Sequence, residues 1–281
     1  MANRSVMIPI SKYPYFEDVS VNMPWFGGFA LQQKRRCYLS LHMNFLADLR
    51  YSNCCPLEIS SASHITLGSA LSAMNLKKYC RTLGHDVVME SAFQSSRIFI
   101  RSDGSQIGPF PKLLELPGKD CKKQVKELSE GLHSYWYKFE GSDFPAPEFH
   151  ISLFYDWLYL TALLEESNRH LREALISEGY DAFTDIATKS LNSQARSCAI
   201  FVSLSRLGLI DQISDPKMYL KLFRVNMSAP GYAGKGAWEN VQPLVRDSYR
   251  PAHPPVPQRV SVEEVKAYHN EHFLGKTVST A

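Results

Sequence analysis

Along the chain, the apolar positions switch between helical and strand-like recurrence, and these switches predict the elements. The first 28 residues carry several prolines, the aromatics Tyr13, Tyr15 and Phe16, and a Trp25-Phe26-Gly27-Gly28 turn, which reads as extended structure packed on a core. Over 29–50, Cys37, Tyr38, Leu41, Phe45 and Leu49 recur at helical spacing opposite Lys34, Arg35, Asp48 and Arg50, predicting one amphipathic helix. Residues 57–61 read as a short strand, 67–78 as a loop entering a short helix, and 85–89 as a strand followed by a helix over 90–100. An amphipathic stretch over 122–132 precedes a strand over 135–139. The clearest helix covers 152–175, with Phe154, Trp157, Leu158, Thr161 and Leu164 on one face; a second covers 193–207 and ends at Gly208. Past Pro216 regularity fades, a proline-rich run over 250–259 is expected on the surface, and a short helix covers 262–273. Mostly helices with a few short strands make the expected class α+β, with one domain over 1–281.

Composition narrows the function classes. With 281 residues, 44% hydrophobic and 21% charged, the chain is globular rather than disordered or fibrous. No apolar run approaches the roughly 18 residues of a spanning helix, and the N-terminus lacks the apolar core of a signal peptide. The expectation is a cytoplasmic protein without membrane contact. A net charge of +3 excludes coating nucleic acid by bulk charge but leaves room for a local phosphate-binding patch. The six cysteines form no C-x-x-C pair and are expected as free thiols.

Chemistry concentrates in a few stretches. In Met89-Glu-Ser-Ala-Phe-Gln-Ser-Ser-Arg97, a helix would direct Glu90, Gln94 and Arg97 the same way, with Phe93 on an apolar flank. A carboxylate, an amide and a guanidinium converging beside a strand end suit a phosphate-bearing ligand; a solvated Glu–Arg face has the same spacing. Asp181 and Asp185, four apart and followed by Asn192-Ser193-Gln194, read either as helix caps or as acid/base groups. Trp157 and Tyr159 have the pattern of core aromatics, whereas Asp156 is a carboxylate on an apolar helix. The glycines of 231–236 match no phosphate-binding loop, and His269 and His272 have no third ligand, so neither a metal nor a cofactor is expected.

Together these stretches resemble the NADAR superfamily. Glu90-x-x-Phe93-Gln94 with a basic residue at 97 is similar to its central motif, Asn75 to its upstream Asn, and Asp181, Asp185 and Asn192 to its downstream motifs. Within the superfamily, 28–42, Glu58-Ile-Ser-Ser-Ala-Ser63, Glu90-Ser-Ala-Phe-Gln94, Phe154-Tyr-Asp-Trp-Leu-Tyr159 and Tyr180-Asp-Ala-Phe-Thr-Asp185 resemble the members paired with DarT-type DNA ADP-ribosyltransferase toxins. The match spans about 22–210, leaving 211–281 as an extension expected to pack on the domain. The resemblance implies an antitoxin N-glycosidase that removes ADP-ribose from guanine in DNA, using a Glu and a Lys that forms a Schiff base with the opened ribose. It also implies roles: Glu90 as acid/base, Asp181 or Asp185 orienting sugar or water, and Gln94 and Arg97 on phosphate or ribose. Ser60, Ser61, Asn75, Phe93, Tyr155, Asp156, Trp157 and Asn192 would bind substrate.

At two positions the chain departs from that pattern, with Arg97 and Ala62 standing where lysines are expected. Arginine stays protonated and forms no Schiff base, so Lys34 is the fallback amine. An impaired ADP-ribose- or nucleotide-binding module is the alternative. So is cleavage of a phosphoribosylamino-pyrimidine of riboflavin metabolism, as in the small-metabolite branch.

Overall fold

A computed structural model describes residues 1–132, 134–145, 151–187, 193–223 and 256–274. Two antiparallel strands, Ala2–Pro9 (β1) and Phe16–Met23 (β2), pair along their whole length from Ala2↔Met23 to Pro9↔Phe16. The helix Leu31–Leu46 (α1) buries Cys37, Tyr38, Leu41 and Phe45 as its spacing predicts. It stops before Leu49, which is 86% exposed in the turn that follows. The short strand Pro56–Glu58 (β3) leads through a serine-rich turn into Thr66–Ala70 (α2). The predicted order of loop and helix in this region is therefore reversed: α2 comes first, and Lys77–Cys80 (β4) pairs with His85–Val88 (β5) as a hairpin.

The run from Met89 divides where a single helix is expected. Met89–Ser95 (α3) is helical, and Arg97–Ile100 (β6) is a strand. The sequence Arg97-Ile-Phe-Ile is rich in branched and aromatic side chains suited to a pleated surface. Its neighbours also close the helix end: Phe110 N–H donates to the Ser95 carbonyl at 2.7 Å and Lys138 N–H to that of Ser96 at 2.8 Å. Gln106–Ile107 (β7), Gly118–Leu128 (α4), Ser134–Phe139 (β8) and Ser142–Pro145 (β9) follow, and the second sheet is ordered β7-β6-β8-β9.

Ile151–Leu164 (α5) is apolar on nearly every side and runs through the main core, as such a helix must. The long predicted helix breaks after it at Asn168, whose buried amide donates to the carbonyls of Ala162 at 2.7 Å and Lys77 at 2.6 Å. The chain restarts as Arg169–Ser177 (α6). Ala182–Thr184 (β10) then inserts between β1 and β3, antiparallel to the first and parallel to the second. Asp181 and Asp185 therefore flank a strand rather than cap a helix. Gln194–Arg206 (α7) and Pro216–Leu222 (α8) complete the main core, α7 being followed by Gly208 at φ +68°. Val262–His269 (α9) packs on α1, and Val256 pairs with Val21, so the described part of the C-terminal extension lies against the domain.

The architecture is α+β, with two small sheets and a hairpin around central helices. Among the described residues no helix is long and apolar enough to cross a membrane. All six cysteines are free thiols.

Candidate functional site

A cavity of about 380 Å³ opens between α3, α4, the turn after β3 and the loop before β4. Its size falls within the range of small-ligand sites. Glu90, in the first turn of α3, is 7% exposed, and its N–H donates to the Ala73 carbonyl at 3.0 Å. One helical turn on, Gln94 donates from Nε2 to Glu90 Oε1 at 3.0 Å and accepts from Arg97 Nη1 at 3.3 Å. The amide thus holds carboxylate and guanidinium in one line, although Arg97 belongs to β6 rather than to the helix. The bend at Ser96 keeps Arg97 on the cavity side, with its guanidinium 4.8 Å above the Phe99 ring. Burial pulls Arg97 below its ordinary value, with Tyr137 and Glu90 acting against that shift.

Aromatic rings form one wall. Phe93 stacks on Tyr137 at 5.5 Å and meets Tyr155 edge-on at 5.0 Å. Burial raises the Tyr155 hydroxyl well above its ordinary value, so it stays neutral and can only donate or accept hydrogen bonds. Lys34 of α1 lines the cavity, as do Lys119 and Lys122 of α4. Against the Glu90 carboxylate the lining thus sets, among the described residues, four cationic side chains, Lys34, Arg97, Lys119 and Lys122. The local field favours an anion although the whole chain is nearly neutral. Gly118 begins α4 against Glu90: a Cβ there would lie 2.9 Å from the Glu90 Cβ.

Behind the cavity stands a buried acidic network that no sequence spacing announces. Glu58, at the end of β3, is 1% exposed and accepts from Ser60 Oγ at 2.7 Å, Thr184 Oγ1 at 2.6 Å and Ile186 N–H at 3.0 Å. Burial, reinforced by the charge of Asp185, pushes its carboxyl up to about 7. Because Thr184 donates to Glu58, its oxygen accepts from His42 Nε2 at 2.8 Å; burial holds that imidazole neutral, down to about 3. Ser60, so fixed, accepts from Ala62 N–H at 3.2 Å and shapes the turn that presents Ser60 and Ser61 to the cavity.

The other sequence-predicted residues separate. Asp185 does not line the cavity but accepts from Gln194 Nε2 at 3.1 Å, and Gln194, which does line it, also accepts from Ala73 N–H at 2.6 Å. Asp181 accepts from Cys55 N–H at 2.7 Å and ties β10 to the start of β3. Ala62 is buried; its methyl is not part of the lining, and its carbonyl accepts from Arg35 Nε at 3.4 Å. Asn75 is exposed and donates to the Ser69 carbonyl at 2.9 Å. Two positions along α5 amount to about 200°, so Tyr155 meets the cavity while Trp157 lines a separate one of about 470 Å³ with Lys78 and Arg81. Asp156 makes a buried two-pronged ion pair with Arg196, at 3.0 and 3.1 Å, and accepts from Ser197 Oγ at 2.6 Å. Asn192 lies outside the described residues.

Several cavity residues escaped the sequence reading. Ser72, Ala73, Met74 and Ala187 carry no chemical signature. Tyr137 reads as a strand aromatic, and Gln194 as a neighbour of a predicted cap. Lys119 and Lys122 had a usable signal in their three-residue spacing, but only the packing of α4 on α3 shows which cavity they face.

An α+β domain with a cationic cavity built around a Glu–Gln–Arg line is the frame into which the family comparison falls. The model of the family described as DarT1-associated NADAR antitoxin matches residues 2–230, and the chain belongs to that family. The matched span takes in β1 and β2, which extend the likeness to the N-terminal side of the resembling motifs. A search among curated proteins gave no match.

Proposed function

We propose that this antitoxin is an N-glycosidase that hydrolyses the C1′–N bond between ADP-ribose and guanine in DNA, reversing the modification made by its DarT-type toxin. The observation that carries the reading is the Glu90–Gln94–Arg97 line facing Lys34, Lys119 and Lys122 across one cavity. Breaking a glycosidic C–N bond builds positive charge on the ribose and negative charge on the leaving base. A carboxylate placed at the sugar stabilises the first and handles the proton that neutralises the second. Glu90 takes a proton from the water that adds to C1′ and delivers it to the departing base nitrogen, so that the carboxylate is regenerated. Arg97, with its planar fork, and the lysines hold the pyrophosphate. The aromatic wall of Phe93, Tyr137 and Tyr155 offers stacking surface to a base. Asp185 acts through Gln194, and Glu58 through Ser60, by positioning cavity residues rather than by touching substrate.

Among the described residues the primary amines of the lining are Lys34, Lys119 and Lys122, so a Schiff base with the opened ribose would form on one of them rather than at position 62 or 97. Borohydride added during turnover should then leave a mass increment on a peptide containing one of these lysines.

The direct test is Glu90→Gln on oligonucleotides carrying ADP-ribosylated guanine. Release of ADP-ribose should stop while the thermal transition is retained; undiminished release by the variant would refute the assignment. A second reading, a module that binds ADP-ribose without turnover, draws on Arg97 and Ala62 replacing lysines. Calorimetry with ADP-ribose beside the turnover assay separates the two, since tight binding with no product supports the module.

A further inference from the structure

Enclosing a nucleotide diphosphate accounts for the cavity, but it does not account for the outer face of α4. In this helix Lys119, Lys122 and Lys126 recur at spacings of three and four. At 100° per residue they fall within an arc of about 60°, centred about 110° round the helix from the buried Cys121 and Val125. All three are exposed, and among the described residues none makes an ion pair or a hydrogen bond. Lys123, beside the row, is instead paired with Glu127 at 3.9 Å. Like charges one turn apart repel and cost helix stability, so the row serves the helix poorly unless something anionic covers it.

The row also has a direction. Lys119 and Lys122 line the cavity, whereas Lys126 lies beyond that lining, farther along the same face. From Lys119 to Lys126 the axis advances about 10 Å, close to the rise of three nucleotides in one strand of a duplex. A ligand confined to the cavity ends short of Lys126; a polymer whose phosphates continue out of the mouth reaches it. The exposed apolar residue of α4, Leu128, is on the far side of the helix from the lysines, so this face lacks the apolar groups that a membrane surface engages.

We propose that the lysine row of α4 is a phosphate-tracking surface that holds the DNA strand as it leaves the cavity, with Lys126 contacting a phosphate outside the modified nucleotide. The proposal rests on the glycosidase reading for the choice of DNA as the polyanion. It assigns sequence-independent backbone contacts to a helix that also walls the cavity, so that binding the strand and presenting its modified base become one event.

The test is anisotropy of a labelled, unmodified single-stranded oligonucleotide of about a dozen nucleotides, titrated with the full chain over a range of salt. The plot of log K against log salt should lose about 0.7 of slope for each phosphate contact removed. Lys126→Gln and Lys126→Glu should each show that loss and weaken binding. On ADP-ribosylated oligonucleotide, Lys126→Glu should raise KM with kcat unchanged, while on ADP-ribosylated guanosine, which has no flanking phosphates, both constants should match the wild type. An unchanged salt slope in both variants would overturn the proposal. So would an equal loss on guanosine and oligonucleotide, which would assign the row to ADP-ribose itself. So would equally salt-dependent binding of polyglutamate, which would make it a generic anion surface. Unmodified DNA is the binding probe, so the outcomes separate: a wild type that binds through α4 but releases no ADP-ribose sinks the glycosidase reading alone, and active enzyme with an unaltered slope in the Lys126 variants sinks this inference alone.

Discussion

Glu58→Gln turns the buried acidic network into a measurable quantity. Glu58 is 1% exposed, and its charged neighbour, Asp185, has the same sign. His42, which reaches it through Thr184, is neutral. Three donors reduce the cost of burying the carboxylate but do not cancel it, and the carboxyl titrates at about 7 rather than 4.5. The folded state therefore binds this proton more tightly than the unfolded chain does. Its contribution to stability is complete below about pH 4.5, falls as the pH rises, and reaches its full penalty above about pH 7. The difference of about 2.5 pH units, at 1.36 kcal/mol each, amounts to roughly 3 kcal/mol. Glutamine has no proton to lose, so the variant escapes the penalty. Urea unfolding of both proteins between about pH 4.5 and 8 should show the variant gaining roughly 3 kcal/mol on the wild type across that range. A fixed offset is expected as well, because an amide satisfies the three donors less well than a carboxyl. The pH-dependent part carries the reasoning, and a difference that stays constant with pH would refute it.

Three further outcomes follow from the geometry. Asp156→Asn leaves the Arg196 guanidinium buried without its anion and should cost about 3–5 kcal/mol in denaturant unfolding, while the folded fraction keeps its specific activity because Asp156 is not part of the cavity lining. Gly118→Ala places a methyl 2.9 Å from the Glu90 Cβ, so Glu90 must shift; kcat should fall severalfold while stability drops by only about 1–3 kcal/mol. Arg97→Ala removes a charged donor to phosphate and should raise KM roughly ten- to a hundredfold, the equivalent of about 1.5–3 kcal/mol, with a smaller effect on kcat.

Local pattern was enough for most of the described helices but for few of the strands. The amphipathic spacing of Cys37, Tyr38, Leu41 and Phe45 predicted α1, the first 28 residues read as extended without dividing into β1 and β2, and the strands over β3, β5 and β8 stood out by composition and their flanking turn residues. The errors came where a distant partner overrides local preference. Met89–Ile100 scans as one helix, but β7 and β8 draw its second half into a sheet. The helix expected over 152–175 is interrupted because Asn168 finds its hydrogen-bond partners in β4 as well as in α5. The cap reading of carboxylates 181 and 185, one of the two their spacing left open, fails because nothing local reveals that 182–184 will complete a sheet begun by the first strand of the chain.

For the site, the sequence by itself determined the Glu90–Gln94–Arg97 set, since three chemically distinct side chains within eight residues stay neighbours under either helix or bend. It also determined the family likeness, because ordered short motifs survive without any knowledge of the fold. Only the tertiary structure decided which other groups join that set. Tyr155 and Trp157 look equivalent on paper and enter different cavities, because one helix passes between them. Asp156 looks like a site carboxylate and is half of a core ion pair, because Arg196 arrives 40 residues later. Glu58, Lys119 and Lys122 acquire their meaning from contacts across the fold: burial shifts a carboxyl and packing aims a lysine, and neither force is written in nearest-neighbour spacing.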